Sequence, residues 1–170
     1  MPAVSGLLAQ KRIALVLLAV VALTLAVTAS AANYGQAKVN PLTLAERDLA
    51  AETRGDVAAA LALYADDAIV QYGGLCSPVC TGKEAIKKEL ERRVEAKNRF
   101  KIIAKFVSGN VAVVQTELQI GYIESSGVDR VVVWNIYEVV GDKIAVATLV
   151  GQRTDPQTAQ FIKWISSQPK

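Results

Sequence analysis

This chain of 170 residues has no histidine, so any acid–base chemistry falls to carboxylates or tyrosines. Two positions carry such groups, Asp48 and Tyr72, and Asn135 adds a polar amide that could bind a ligand. Asp48 shares a helical stretch with Leu42, Ala45 and Leu49. An aspartate there is ordinarily solvated; buried against a pocket, it would have its pKa raised by desolvation and become a candidate base. Asn135 interrupts Val131-Val-Val-Trp-Asn-Ile-Tyr137, the most apolar strand-like stretch. A buried amide needs partners. Asn135 is therefore read as a hydrogen bond to a ligand, or as pairing across a sheet or exposure on its other face. Tyr72 closes an apolar strand and marks the floor or rim of a ligand pocket; its plainer role is an aromatic with its hydroxyl in water.

Two further groups invite chemistry. Asp66-Asp67 has the look of a paired acid, but it stands just before a strand, where turn and cap geometry is the ordinary use of Asp. Cys76-Ser-Pro-Val-Cys80 holds the only two cysteines. In an exported protein so close a pair reads as a disulfide, with two free thiols as the alternative. The entropy gained by closing so small a loop is only about 2 kcal/mol. A metal site is not expected, since the pair has neither histidines nor a second pair to complete a ligand set. No cofactor is expected either.

The cellular address is written in the first 31 residues. Lys11 and Arg12 precede Ile13 to Val27, an apolar run broken only by Thr24, and Ala29-Ser-Ala31 supplies a small-x-small cleavage pattern. The expectation is a signal peptide over 1–31, with an uncleaved anchor over 13–32 as the alternative. Both place the domain outside the cytoplasm. Residues 1–31 hold two of the 19 basic side chains and none of the 16 acidic ones, so the remainder carries +1. Such a balance, with no basic stripe interleaved with aromatics, gives no support for nucleic-acid binding.

The elements that must position these groups follow from periodicity. Residues 32–40 are polar and without period, a flexible leader; the domain is expected over 41–168. Thr43-Leu-Ala-Glu46 has the pattern of a capping box, and Gly55 closes the helix it starts. Asp56 caps a second helix, whose stripe is Val57, Ala60, Leu61 and Tyr64. An acidic turn leads into a strand over 68–72, and a loop over 73–80 leads to a third helix over 83–97. From Arg99 the period becomes two, giving four strands over 100–107, 111–122, 129–140 and 143–154. Asp155-Pro156 opens a terminal helix. Helices first and antiparallel strands after make an α+β domain: a cone-shaped curved sheet with three helices on its concave face, a C-terminal helix, and an apolar cavity.

Gly55-Asp56, Tyr64-Ala-Asp-Asp-Ala68 and Thr81-Gly-Lys-Glu-Ala-Ile86 resemble the nuclear transport factor 2-like superfamily, which includes SnoaL-like polyketide cyclases and ketosteroid isomerases. The resemblance covers about residues 40–167. In ketosteroid isomerases an Asp base ends the strand after the Asp-Asp turn, and an oxyanion hole pairs a Tyr of the first helix with a protonated Asp of a later strand. The matching positions here are Tyr72, Asp48 and Asn135, so the chain departs from that pattern at all three. A tyrosine with its ordinary pKa of about 10 is a poor base at neutral pH. The resemblance also implies a homodimer formed through the outer face of the sheet. Trp134 and Tyr137 alternate across one strand, so only one of them can face such a partner.

The expectation is an exported domain that binds a small apolar molecule, with Tyr72, Asn135 and Asp48 as polar anchors. An isomerase, cyclase or hydrolase using Asp48 with Tyr72 is the first alternative. A non-catalytic dimeric interaction domain is the second.

Overall fold

The computed structural model describes residues 36–72 and 79–168, with backbone alone at Tyr72. The expected signal or anchor lies outside these residues, as does Cys76. Ala37 forms a parallel bridge with Gly141, and the Lys38 N–H donates to the Gly141 carbonyl.

Helix α1 spans Pro41–Arg54. It starts earlier than the Thr43 capping box suggested. Asn40 is the cap: its side chain accepts from the Leu42 N–H at 2.9 Å. Pro41 at the first helical position has its φ already set and needs no donor. Gly55 ends the helix at φ 78°, the left-handed conformation expected of it. Helix α2, Val57–Leu61, is capped by Asp56 through the Ala59 N–H at 2.9 Å.

Strand β1 spans Tyr64–Tyr72, so Tyr64 is not the last residue of a helical stripe. The chain has joined the sheet by this point: the Ile144 N–H donates to the Leu63 carbonyl, and Tyr64 is in register with Ile144. Asp66 and Asp67 are not in a turn. They lie within β1, where the register is irregular between Tyr64 and Ile69. Such a bulge presents both carboxylates to solvent, and Asp66 pairs with Lys83 at 2.7 Å.

After the short strand β2, Cys80–Thr81, come helix α3 (Gly82–Glu95), β3 (Arg99–Ser108), β4 (Val111–Gln119), a 3₁₀ turn (Ile123–Ser126), β5 (Val131–Val140), β6 (Lys143–Gly151) and helix α4 (Pro156–Ser166). The order across the curved, unclosed sheet is β2-β1-β6-β5-β4-β3. Only β1 and β6 run parallel; the other pairs are antiparallel. The four-strand meander and the α+β class are as expected. α1 lies across β3, β4 and β5, while α3 lies on β1. The core between helices and sheet is built from Leu44, Leu49, Tyr64, Val70, Ile86, Leu90, Val114 and Val139, all nearly or wholly buried.

Candidate functional site

Helix α1 turns one face to the sheet. On it lie Leu44, Ala45, Asp48, Leu49, Ala51 and Glu52. Asp48 and Glu52 are one turn apart, on the apolar stripe and not beside it. Asp48 is fully buried and Glu52 is 1% exposed. Of the two settings considered for Asp48, solvation is excluded and burial holds; the helix carries it inward because its neighbours on that face must be buried.

A buried carboxylate requires donors, and the sheet provides two. The Tyr64 hydroxyl donates to Asp48 Oδ2 from β1 at 3.0 Å. The Tyr137 hydroxyl donates to the same oxygen from β5, also at 3.0 Å. Glu52 faces α3, where Arg93 Nη2 stands 2.8 Å from its Oε2 with 3% of the arginine side chain exposed. The contact has ion-pair distance without the alignment of a directed hydrogen bond. The guanidinium lies 5.3 Å above the ring of Phe100, a cation–π contact that holds it in place from β3.

Burial raises the pKa of Asp48, opposed by Arg93 and by the two tyrosine hydrogen bonds. It raises Glu52 well above its ordinary value, opposed by Arg93 and reinforced by Asp48. Asp48 Oδ1 and both Glu52 carboxyl oxygens are buried and accept no hydrogen bond among the described residues. Chemically this is a pair of carboxyl groups with raised pKa, two phenol donors and one cation, all closed off from water.

Asn135 is a separate feature. It is 3% exposed on the helix-facing side of β5. Its Nδ2 donates to the Val114 carbonyl at 3.2 Å and to Thr116 Oγ1 at 3.0 Å, both on β4. Pairing across the sheet, one of its expected roles, is what the amide hydrogens do. They leave its carbonyl oxygen accepting from no described group. Backbone register places Tyr72 opposite Leu149, Leu149 opposite Asn135, and Asn135 opposite Val114. Tyr72 and Asn135 thus share one row across the sheet. Asp48 bonds to neither; its sheet partners are Tyr64 and Tyr137. The three expected anchors form two groups and not one.

A cleft of about 390 Å³ opens elsewhere, lined among others by Lys97, Arg99, Glu124 and Asp129. None of the buried cluster's residues lines it. Among the described residues no group of His, Cys, Asp and Glu is arranged to hold a metal ion.

Glu52, Arg93, Tyr64 and Tyr137 were missed in sequence. The Asp48–Glu52 spacing on an apolar face was the available signal; the other three arrive from elements whose contact only the fold reveals.

The SnoaL-like domain family matches residues 45–147, which hold every member of both groups. The chain belongs to the SnoaL-like domain family. Its fold is nuclear transport factor 2-like. An NTF2-like protein of unknown function from Burkholderia pseudomallei superposes with a TM-score of 0.59 at 16% identity, over 76% of this chain and 99% of that one. A candidate polyketide cyclase from Sinorhizobium meliloti gives 0.55 at 18% identity, over 64% and 94%. The epoxide hydrolase/cyclase-like enzyme SalBIII, with a role in pyran ring formation in polyether salinomycin, gives 0.57 at 16% identity, over 68% and 92%. No curated protein matches. The SnoaL-like chain thus shares its fold with proteins of unknown function and with enzymes alike, and at these identities the likeness reaches the fold alone.

Proposed function

We propose that this SnoaL-like domain is exported and binds a small, largely apolar molecule against the concave face of its sheet, without acid–base catalysis. The observation that carries the reading is the setting of Asn135. Its amide hydrogens are bound on β4, which fixes its carbonyl oxygen as a single acceptor on a face otherwise built from Val114, Val131, Val133 and Leu149. That pattern suits an apolar ligand with one hydroxyl or N–H donor. Tyr72, at the end of the same row, is the second anchor. Asp48 is removed from ligand contact by burial and by the two tyrosines that occupy Oδ2. A general base must reach the proton it takes.

Native mass spectrometry of the purified protein tests this. An adduct of small-molecule mass, lost in Asn135→Ala, supports binding. Adduct-free protein from repeated preparations counts against it.

The outer face of the sheet supports a second copy of the chain as partner. Phe106 is 58% and Val150 45% exposed there, beside Trp134, whose ring lies 6.4 Å from that of Phe106. Apolar side chains on one sheet face are the material of a homodimer interface.

An enzymatic reading is favoured by one observation, the raised pKa of Asp48 beside two phenol donors. It requires a ligand that displaces a tyrosine from Oδ2. A co-purified compound chemically altered by the wild type and not by Asp48→Asn would establish it.

A further inference from the structure

The interior cluster contains two carboxyl groups and one guanidinium. Counted at neutral pH with both acids ionised, it would leave a net negative charge buried without compensation, which is strongly unfavourable in a water-free core. Every other charged or titratable group that faces it is accounted for. From α1 there are Asp48 and Glu52 themselves. From α3 come Arg93 and, further out, Glu89, whose carboxylate is held by Arg92 at 2.6 and 2.9 Å. From β1 and β5 come the Tyr64 and Tyr137 hydroxyls, which donate to Asp48. β3 offers only the Phe100 ring beneath the guanidinium. No second cation among the described residues faces the pair.

Geometry shows where the balance is made. Asp48 and Glu52 lie one helical turn apart on the buried face of α1, and each bears on the ionisation of the other. Asp48 presents one buried oxygen, Oδ1, and Glu52 two, Oε1 and Oε2, that accept no hydrogen bond among the described residues. Two adjacent acceptors both lacking donors are satisfied together by one proton between them, and the same proton makes the cluster neutral. Asp48 already accepts two hydroxyl hydrogens, which favours its ionised form. Glu52 is therefore the group that carries the proton and donates it to Asp48.

We propose that Asp48 and Glu52 share one proton held beside Arg93, and that the domain folds with this proton bound, so that the α1–α3 junction is a proton-linked lock. The sign follows from linkage. Glu52 is raised in the folded state, so its contribution is complete below its unfolded value of about 4.3 and fades as pH rises through its folded value. Between those limits unfolding releases a proton, and the unfolding constant grows about tenfold per pH unit from this source. Alkaline conditions loosen the helix that carries the cluster; acid conditions tighten it.

The test is urea unfolding of the purified protein, with Glu52→Gln, Asp48→Asn and the half-buried control Glu46→Gln, which pairs with Lys105 away from the cluster, from about pH 5 upward. The ratio of wild-type to Glu52→Gln unfolding constants is expected to rise about tenfold per pH unit and then level off. Asp48→Asn also removes the linkage, because Glu52 then ionises against Arg93; Glu46→Gln retains it. A ratio independent of pH overturns the proposal. Carbon-13 NMR of the Glu52 carboxyl at neutral pH gives a reading that needs no variant: a protonated signature supports the lock, and an ionised one overturns it.

Discussion

The Tyr137 hydroxyl donates to Asp48 Oδ2 at 3.0 Å across 89 residues of chain, joining the first helix to the central strand β5. Tyr64 meets the same oxygen from β1. The two phenols thus pin α1 over the sheet at a single atom, and each hydrogen bond is to a buried carboxyl oxygen.

Tyr137→Phe keeps the ring and removes only the donor. The expected loss is about 1.5–3 kcal/mol, seen as a Tm decrease of roughly 5–15 °C. Tyr64→Phe should behave alike. The double variant should depart from additivity, because both donors share one oxygen. Differential scanning calorimetry of the four proteins decides it; additive losses of a few tenths of a kcal/mol would show that the carboxylate does not depend on them.

Arg93 is the only cation facing the two acids among the described residues, at 2.8 Å from Glu52. Arg93→Met leaves a buried negative charge and is expected to cost about 3–5 kcal/mol by urea unfolding. Adding Asp48→Asn removes that charge and should recover part of the loss. A double variant no more stable than Arg93→Met alone would mean that packing over Phe100, and not charge, is what Arg93 supplies.

These groups explain how far the sequence could be read. The caps at Gly55 and Asp56 were legible because they are local: Gly55 at φ 78° and Asp56 on the Ala59 N–H follow from residue type and neighbours. The alternation of β4 and β5 likewise placed Trp134 and Tyr137 on opposite faces, but which face meets the helices is set by the fold. Sequence left the burial of Asp48 undecided, because a single acid on a helix looks solvated until its neighbours are placed. Burying Leu44, Ala45 and Leu49 forces Asp48 and Glu52 inward, and the partners that make this tolerable come from residues 64, 93 and 137. Spacing i, i+3, i+4, i+7 fits Val57 to Tyr64 as one helical stripe. Pairing with Ile144, far along the chain, overrides that local pattern.

The cysteine pair allows a direct chemical test. Cys80 opens β2, opposite Val70. A bridge to Cys76 should leave the intact mass unchanged on alkylation without reductant, and add two alkyl groups after reduction. Two groups added without reductant would exclude the bridge. Where it is present, Cys80→Ser should cost no more than about 2 kcal/mol, since the closed loop is short.

The outer sheet face gives the last prediction. Register places Phe106 beside Val113 and Ile136, and Val150 beside Trp134, so their exposed apolar surfaces are continuous across β3 to β6. A stable dimer buries about 800 Å² from each partner, most of it at a central apolar patch. Phe106→Lys or Val150→Lys places a charge in that patch while leaving the helix-facing core untouched. Light scattering coupled to size exclusion should report a dimer for the wild type and a monomer for either variant, with unchanged circular dichroism. A monomeric wild type, or a dimer that survives both lysines, would remove the sheet face as the site of self-association.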